Sequence, residues 1–119
     1  MRAWNETRQT LLAERVRVAR SLWSRTRGLL GTRELPEGEG LLIQPCGSIH
    51  SFWMRYAFDA LFLNRNGEVV YAISRMRPFR ASRLVLSAHS VLELPAGAIE
   101  ATATTHGDRV RVEPGRSAA

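Results

Sequence analysis

Lysine is absent: all 17 basic residues of the 119-residue chain are arginine. Cysteine occurs once, at Cys46, which excludes an internal disulfide and suits a reducing compartment. With one thiol, a structural zinc site would fall to His50, His89 and His106, whose spacing matches no metal-binding pattern, so no metal and no cofactor is expected. Long apolar runs are missing too. The longest uncharged stretch, Gly40 to Met54, is 15 residues and carries Gln44, Pro45, Ser48, His50 and Ser51. A bilayer span needs roughly 20 apolar residues. Arg2, Glu6, Arg8, Glu14 and Arg15 interrupt the region where a secretory leader would lie, so the expectation is a cytoplasmic protein without membrane insertion. Gly28, Gly31, Gly38 and Gly40 lack the strand-to-helix setting and the Lys-Ser/Thr ending of a phosphate-binding loop, which excludes nucleotide binding of that type.

What is present is an apolar fraction of 45%. A chain of this length can bury about 65% of the surface its unfolded form exposes, enough for one core without staples. The reading is a single globular domain over residues 9–113, with 1–8 and 114–119 as loose ends. Net charge is +6 and the isoelectric point about 11.2. The excess is concentrated: residues 1–33 hold eight arginines against Glu6 and Glu14, whereas residues 34–119 hold nine arginines against nine acids. GC-rich codon usage would produce arginine in place of lysine. The forked guanidinium also suits phosphate and carboxylate, which keeps nucleic acid or another anionic partner open as an alternative.

Local patterning is mostly that of short strands. Leu12, Glu14, Val16 and Val18 alternate with Ala13, Arg15 and Arg17, which predicts one strand over Leu11–Ala19 with a wet face. Ser21 can cap a short helix ending at Gly31, in which Gly28 costs about 1 kcal/mol relative to alanine. Strands are predicted at Leu41–Gln44 and Ile49–Met54 around the Pro45-Cys46-Gly47 corner, then at Ala60–Asn64 and Glu68–Ile73 around Asn66-Gly67. The Asn-Gly pair predicts a hairpin with a type I′ turn, with one extra bulged residue as a variant. Arg75 to Arg83 reads as a surface connection leading to strands Leu84–Leu86 and Ser90–Leu94, a turn or two of helix at Ala98–Thr104 and a last strand at Arg109–Glu113. The fold class expected is mainly β, a compact sandwich or open barrel of short antiparallel strands with one or two short helices. A mixed α+β sheet is the alternative.

Four ordered motifs carry a family resemblance. They are Arg27-Gly28-Leu29-Leu30, Pro45 to Arg55 with Asp59 to Asn64 before the Asn66-Gly67 turn, Val91-Leu92-Glu93-Leu94-Pro95-Ala96-Gly97, and Gly107-Asp108. In these, over roughly residues 12–112, the chain resembles the family named domain of unknown function 192. The resemblance implies a small, predominantly β domain found in bacteria and archaea, with no established enzymatic activity. Many members carry an export signal, from which this chain departs.

Candidate chemistry centres on residues 46–59. Cys46 and His50 supply a thiol and a base, but along a straight strand they would stand about 13 Å apart, and no third residue orients them. The bland alternative is a small buried cysteine beside a hydrogen-bonded histidine. On the pleat Ser48, His50, Phe52 and Met54 share one face, and Ile49, Ser51, Trp53 and Arg55 the other. Both faces mix apolar with polar, as a pocket wall does. Asp59 sits among apolar neighbours and needs hydrogen bonds or a cation, with Arg55 nearest in sequence. Glu93 poses the same question, and the two carboxylates could pair only within about 5–9 Å. The leading expectation is a non-catalytic ligand-binding or protein-interaction module, with candidates Cys46, Ser48, His50, Trp53, Met54, Arg55, Asp59 and Glu93. A small hydrolase or transferase using Cys46 or the His50–Asp59 region is the alternative. Arg75, Arg77, Arg80 and Arg83 around Phe79 form a further candidate, an anion-binding tract that would act with residues 1–33 if the two were neighbours. The alternative for it is a solvated loop.

Overall fold

The computed structural model describes residues 1–19, 35–49 and 56–114. The elements there are β1 (Arg2–Asn5), β2 (Thr10–Ala13), β3 (Arg15–Ala19), β4 (Glu39–Ile43), β5 (Phe58–Leu63), β6 (Val69–Met76), β7 (Ser90–Pro95), α1 (Ala98–Thr102) and β8 (Val110–Glu113). They build a three-stranded sheet in the order β2-β1-β8 and a five-stranded sheet in the order β3-β4-β7-β5-β6. The protein is mainly β, its two sheets not closed into a barrel. Neighbouring strands run antiparallel except β3 and β4, which are parallel.

The inner strands are apolar on both sides because both faces of the larger sheet are covered. All six residues of β5 are buried. The register sorts them. Ile43, Val91 and Phe62 form one cross-strand row, and they pack in a core with Leu35, Ile49, Phe58, Met76 and Val85. The adjacent row, Leu42, Leu92 and Leu61, faces a second core with Val16 and Val69 of the same sheet, Ala3, Leu12 and Val110 of the smaller sheet, and Ile99 of α1. Such double coverage gives continuous apolar strands rather than alternating ones.

Several expectations are corrected. Residues 2–5 are not a loose end: they form the central strand of the smaller sheet, with Ala3 and Asn5 fully buried. The strand expected over Leu11–Ala19 is two strands in different sheets. The chain breaks at exposed Glu14, where the amides of Glu14 and Arg15 both donate to the Gly38 carbonyl. Leu84–Leu86 is a loop, not a strand. Val85 alone is buried there, its amide donating to the Gly47 carbonyl, and Leu84 and Leu86 face water. The β5–β6 hairpin is present, but its turn is not type I′. Gly67 has φ +82°, Asn66 is not in the positive-φ region, and the Gly67 amide donates to the Asn64 carbonyl at 3.0 Å. This is a three-residue loop closing on a glycine bulge. Phe62 stands opposite Tyr71, and the register shifts between Phe62 and Leu63. The helix predicted to end at Gly31 and the strand predicted after Ile49 lie outside the described residues.

Candidate functional site

Around the Pro45 corner the chain is held by main-chain contacts. A cis peptide joins Gln44 to Pro45, the Cys46 amide donates to the His89 carbonyl at 2.9 Å, and the half-buried thiol donates to the Ser48 carbonyl at 3.1 Å. Cys46 packs against the core that contains Phe62 and Val91, and Ser48 is exposed. His50, Trp53, Met54 and Arg55 lie outside the described residues.

Asp59 and Glu93 occupy neighbouring central strands but point to opposite sides of the sheet. Ala60 is the register partner of Glu93, and Asp59 is the partner of Leu94. Side chains one position apart along a strand face opposite ways. Glu93 therefore shares a row with Leu41 and Ala60 and faces the Cys46 side, whereas Asp59 shares a row with Leu94 and faces α1. An acid–base pair of these two carboxylates is excluded by the pleat. Asp59 also has its own occupation. Its Oδ1 accepts from the Arg75 amide and its Oδ2 from the Ile99 amide, each at 2.8 Å. It thus fixes the bulge in β6, where Arg75 has φ +54°, and satisfies an amide in the first turn of α1, whose N-cap Gly97 has no side chain to do so. Among the described residues its partners are these two backbone amides, and Arg55 lies outside them.

Glu93 is 3% exposed, and its Oε2 has no hydrogen-bond partner among the described residues. Burial pushes its carboxyl from 4.5 up to about 8. Asp108, equally buried, behaves in the opposite way. Burial raises its carboxyl, but hydrogen bonds from Asn5, the Thr105 amide and Arg8, together with the Arg8 charge, outweigh this and hold it below its ordinary value. Asn5, which the sequence did not single out, completes that network by donating to Thr104 and accepting from the Arg8 amide. Among the described residues no three His, Cys, Asp or Glu side chains converge on a point that could hold a metal.

The arginine tract lines a shallow, open groove. A groove of about 340 Å³ runs along β6, lined by Tyr71, Ile73, Met76, Arg75, Arg77, Arg80 and Arg83 together with Ala81 and Ser82. None of these is acidic. Tyr71 and Ile73 are two apart on one face of the strand, a period that was available in the sequence, whereas past the bulge Arg75 carries its guanidinium to Gly97 and Glu100 on the α1 side. The Arg83 guanidinium lies 5.4 Å from the Tyr71 ring centroid, and Tyr71 packs edge-on against Phe62 at 5.3 Å. So the aromatic floor is Tyr71, and Phe79, the aromatic expected from the tract itself, points into water at 65% exposure. Arg75 is joined to Glu100 at 3.3 Å, while the other groove arginines are set by the loop that the Ser82 amide ties to the Ile49 carbonyl. Residues 1–19 do not extend this patch through β3. Arg15 and Arg17 lie on the opposite edge of the five-stranded sheet, four strand spacings or about 19 Å away.

A larger hollow of about 770 Å³ separates β2 from α1, bordered by Leu11, Glu14, Glu37, Pro95, Ala98 and Ala101. It brings together none of the expected site residues.

Fold and site together define a small two-sheet β domain with a cation-lined groove on an edge strand. The profile of the DUF192 family, described as an uncharacterized ACR, matches residues 3–112, and the chain belongs to that family. A UPF0127 protein of Thermococcus sibiricus is 32% identical over 121 residues, covering 96% of this chain and 77% of the relative. A UPF0127 protein of Pyrococcus furiosus is 40% identical over 63 residues, 53% of each chain. Two crystal structures share the fold. One, from Sinorhizobium meliloti and described as a candidate transcription regulator, has TM-score 0.71 at 23% identity, covering 81% of this chain and 79% of the other. The second, a protein of unknown function from Novosphingobium aromaticivorans, has TM-score 0.74 at 19% identity, covering 82% and 74%.

Proposed function

We propose that this domain is a non-catalytic binding module that takes anionic groups in the β6 groove. The observation that carries the reading is the groove's lining, four arginines and a tyrosine with no acid. A guanidinium over an aromatic floor, Arg83 on Tyr71, with further arginines along the same groove, suits phosphate or carboxylate joined to a flat or apolar body. Of the residues that would serve a reaction, the described ones are otherwise engaged: the Cys46 thiol donates to a carbonyl, and both Asp59 oxygens accept backbone amides. The pocket expected beside Ser48 loses Asp59 as a wall, which favours the groove as the contact surface.

Titration with inorganic pyrophosphate, followed by NMR, tests this. Saturable shifts confined to Tyr71, Ile73, Ala81 and Ser82, weakened at least ten-fold in Arg80→Gln/Arg83→Gln, are expected. Shifts scattered over β3 and β8 as strongly as over β6 would overturn the assignment.

A further inference from the structure

Beyond the groove, the loop 77–89 between β6 and β7 combines exposed apolar side chains with an acid-free run of arginines. Phe79, Leu84 and Leu86 are 65%, 62% and 89% exposed, the three most exposed large apolar side chains described, and all lie within eight residues of one another. The same loop carries Arg77, Arg80 and Arg83 and no acid. Its shape is fixed from beneath. Val85 is buried in the core, its amide bound to the Gly47 carbonyl, and the Ala88 amide returns to the Val85 carbonyl. Ser82 is tied to Ile49 twice, amide to carbonyl and Oγ accepting from the Ile49 amide. With Val85 inward, Leu84 and Leu86 are held outward. The loop is thus a braced projection rather than a slack one.

Resting on the anion-groove reading, we propose that this loop docks the domain on an anionic phospholipid surface, with Leu84, Leu86 and Phe79 entering the headgroup–acyl boundary and the groove arginines meeting lipid phosphate. Charge complementarity selects the lipid sign: an acid-free cationic loop is drawn to an anionic leaflet within a Debye length. Projection selects the lipid itself. A leucine exposed to 89% stands clear of its neighbours, and to be buried by a folded partner it needs a matching cavity, whereas fluid acyl chains close around it without one. No spanning segment is required, in keeping with the absence, among the described residues, of a helix long and apolar enough to cross a membrane.

Co-sedimentation with vesicles of phosphatidylcholine alone, and with phosphatidylglycerol at three parts in ten, tests the proposal, with pyrophosphate titration run alongside. Binding to the anionic vesicles only is expected. Leu84→Ser/Leu86→Ser should lower it at least ten-fold and leave pyrophosphate binding unchanged, since neither side chain lines the groove. Arg80→Gln/Arg83→Gln should lower both. If the leucine variant sediments with anionic vesicles as the wild type does, or if the wild type binds pyrophosphate or heparin but no vesicle, membrane docking is wrong and the groove reading stands. If pyrophosphate fails as well, both fall.

Discussion

Asp59 shows how a buried charge can serve the fold instead of a reaction. A carboxylate moved out of water is costly unless each oxygen regains partners, and here the two amides of Arg75 and Ile99 supply them. Asp59→Asn keeps the size but turns one acceptor into a donor facing an amide. We expect a loss of about 1–3 kcal/mol in urea unfolding, the range for a buried group left unsatisfied. An Asn variant as stable as the wild type would show that these bonds are dispensable. Some of this was legible: the apolar setting of Asp59 called for a hydrogen-bonding role at the turn. Which groups would bond it was not legible, because Ile99 is 40 residues away and reaches Asp59 only through the register of β5 with β7. Tyr71 was legible only in part: its alternation with Ile73 places it on one face of β6, but its contact with Arg83 depends on how the following loop folds back.

Among the elements, the β5–β6 hairpin depends most on one residue. Gly67 has φ +82°, and a Cβ built there would stand 2.5 Å from the Val110 carbonyl oxygen. That oxygen is backbone, and its strand is fixed to the turn by the Val110 amide donating to the Gly67 carbonyl. Two penalties add, the left-handed conformation and a clash that cannot be relieved by a rotamer. Gly67→Val is expected to cost at least about 2 kcal/mol, and a melting temperature equal to the wild type's would refute the turn geometry. The hairpin itself was readable because Asn-Gly sits between two apolar runs. The turn type was not, since the choice between a two-residue loop and a bulged three-residue loop is made by contact with β8. Glu14 and the 84–86 segment show the same limit. Alternation at one and a short apolar run at the other predicted strands, but the chain turns between sheets at Glu14 and wraps a single anchoring valine at Val85.

For the whole molecule, the two carboxyls with opposite shifts set how stability varies with pH. Glu93 has its folded value raised from 4.5 to about 8. Below 4.5 the carboxyl is neutral in both states and its contribution is fully present; as pH rises towards 8 the unfolded chain ionises while the folded one resists, and stability falls. The slope is at most about 1.4 kcal/mol per pH unit. Asp108 is lowered, so its contribution is present above the ordinary value and lost as pH falls through the folded one. Together they place maximum stability in mildly acidic solution. Urea midpoints should decline from pH 5 to pH 8, and Glu93→Gln should flatten that decline; a wild-type profile already flat there would contradict the burial of an ionisable Glu93.

The distribution of charge over the whole surface bears on the binding claim. Four described arginines away from the groove are ion-paired: Arg2 with Glu113, Arg8 with Asp108, Arg15 with Glu14 and Glu39, and Arg111 with Glu6 and Glu113. The groove gathers four arginines along one edge strand and its loop, of which Arg75 is paired with Glu100, so binding should follow position rather than net charge. Salt-gradient elution from immobilised heparin measures this directly, comparing Arg77→Gln/Arg80→Gln/Arg83→Gln with Arg15→Gln/Arg17→Gln/Arg109→Gln, which removes the same charge elsewhere. The groove variant is expected to elute at markedly lower salt than the wild type, with the control close to the wild type. Equal displacement of both variants would contradict a localised anion site on β6.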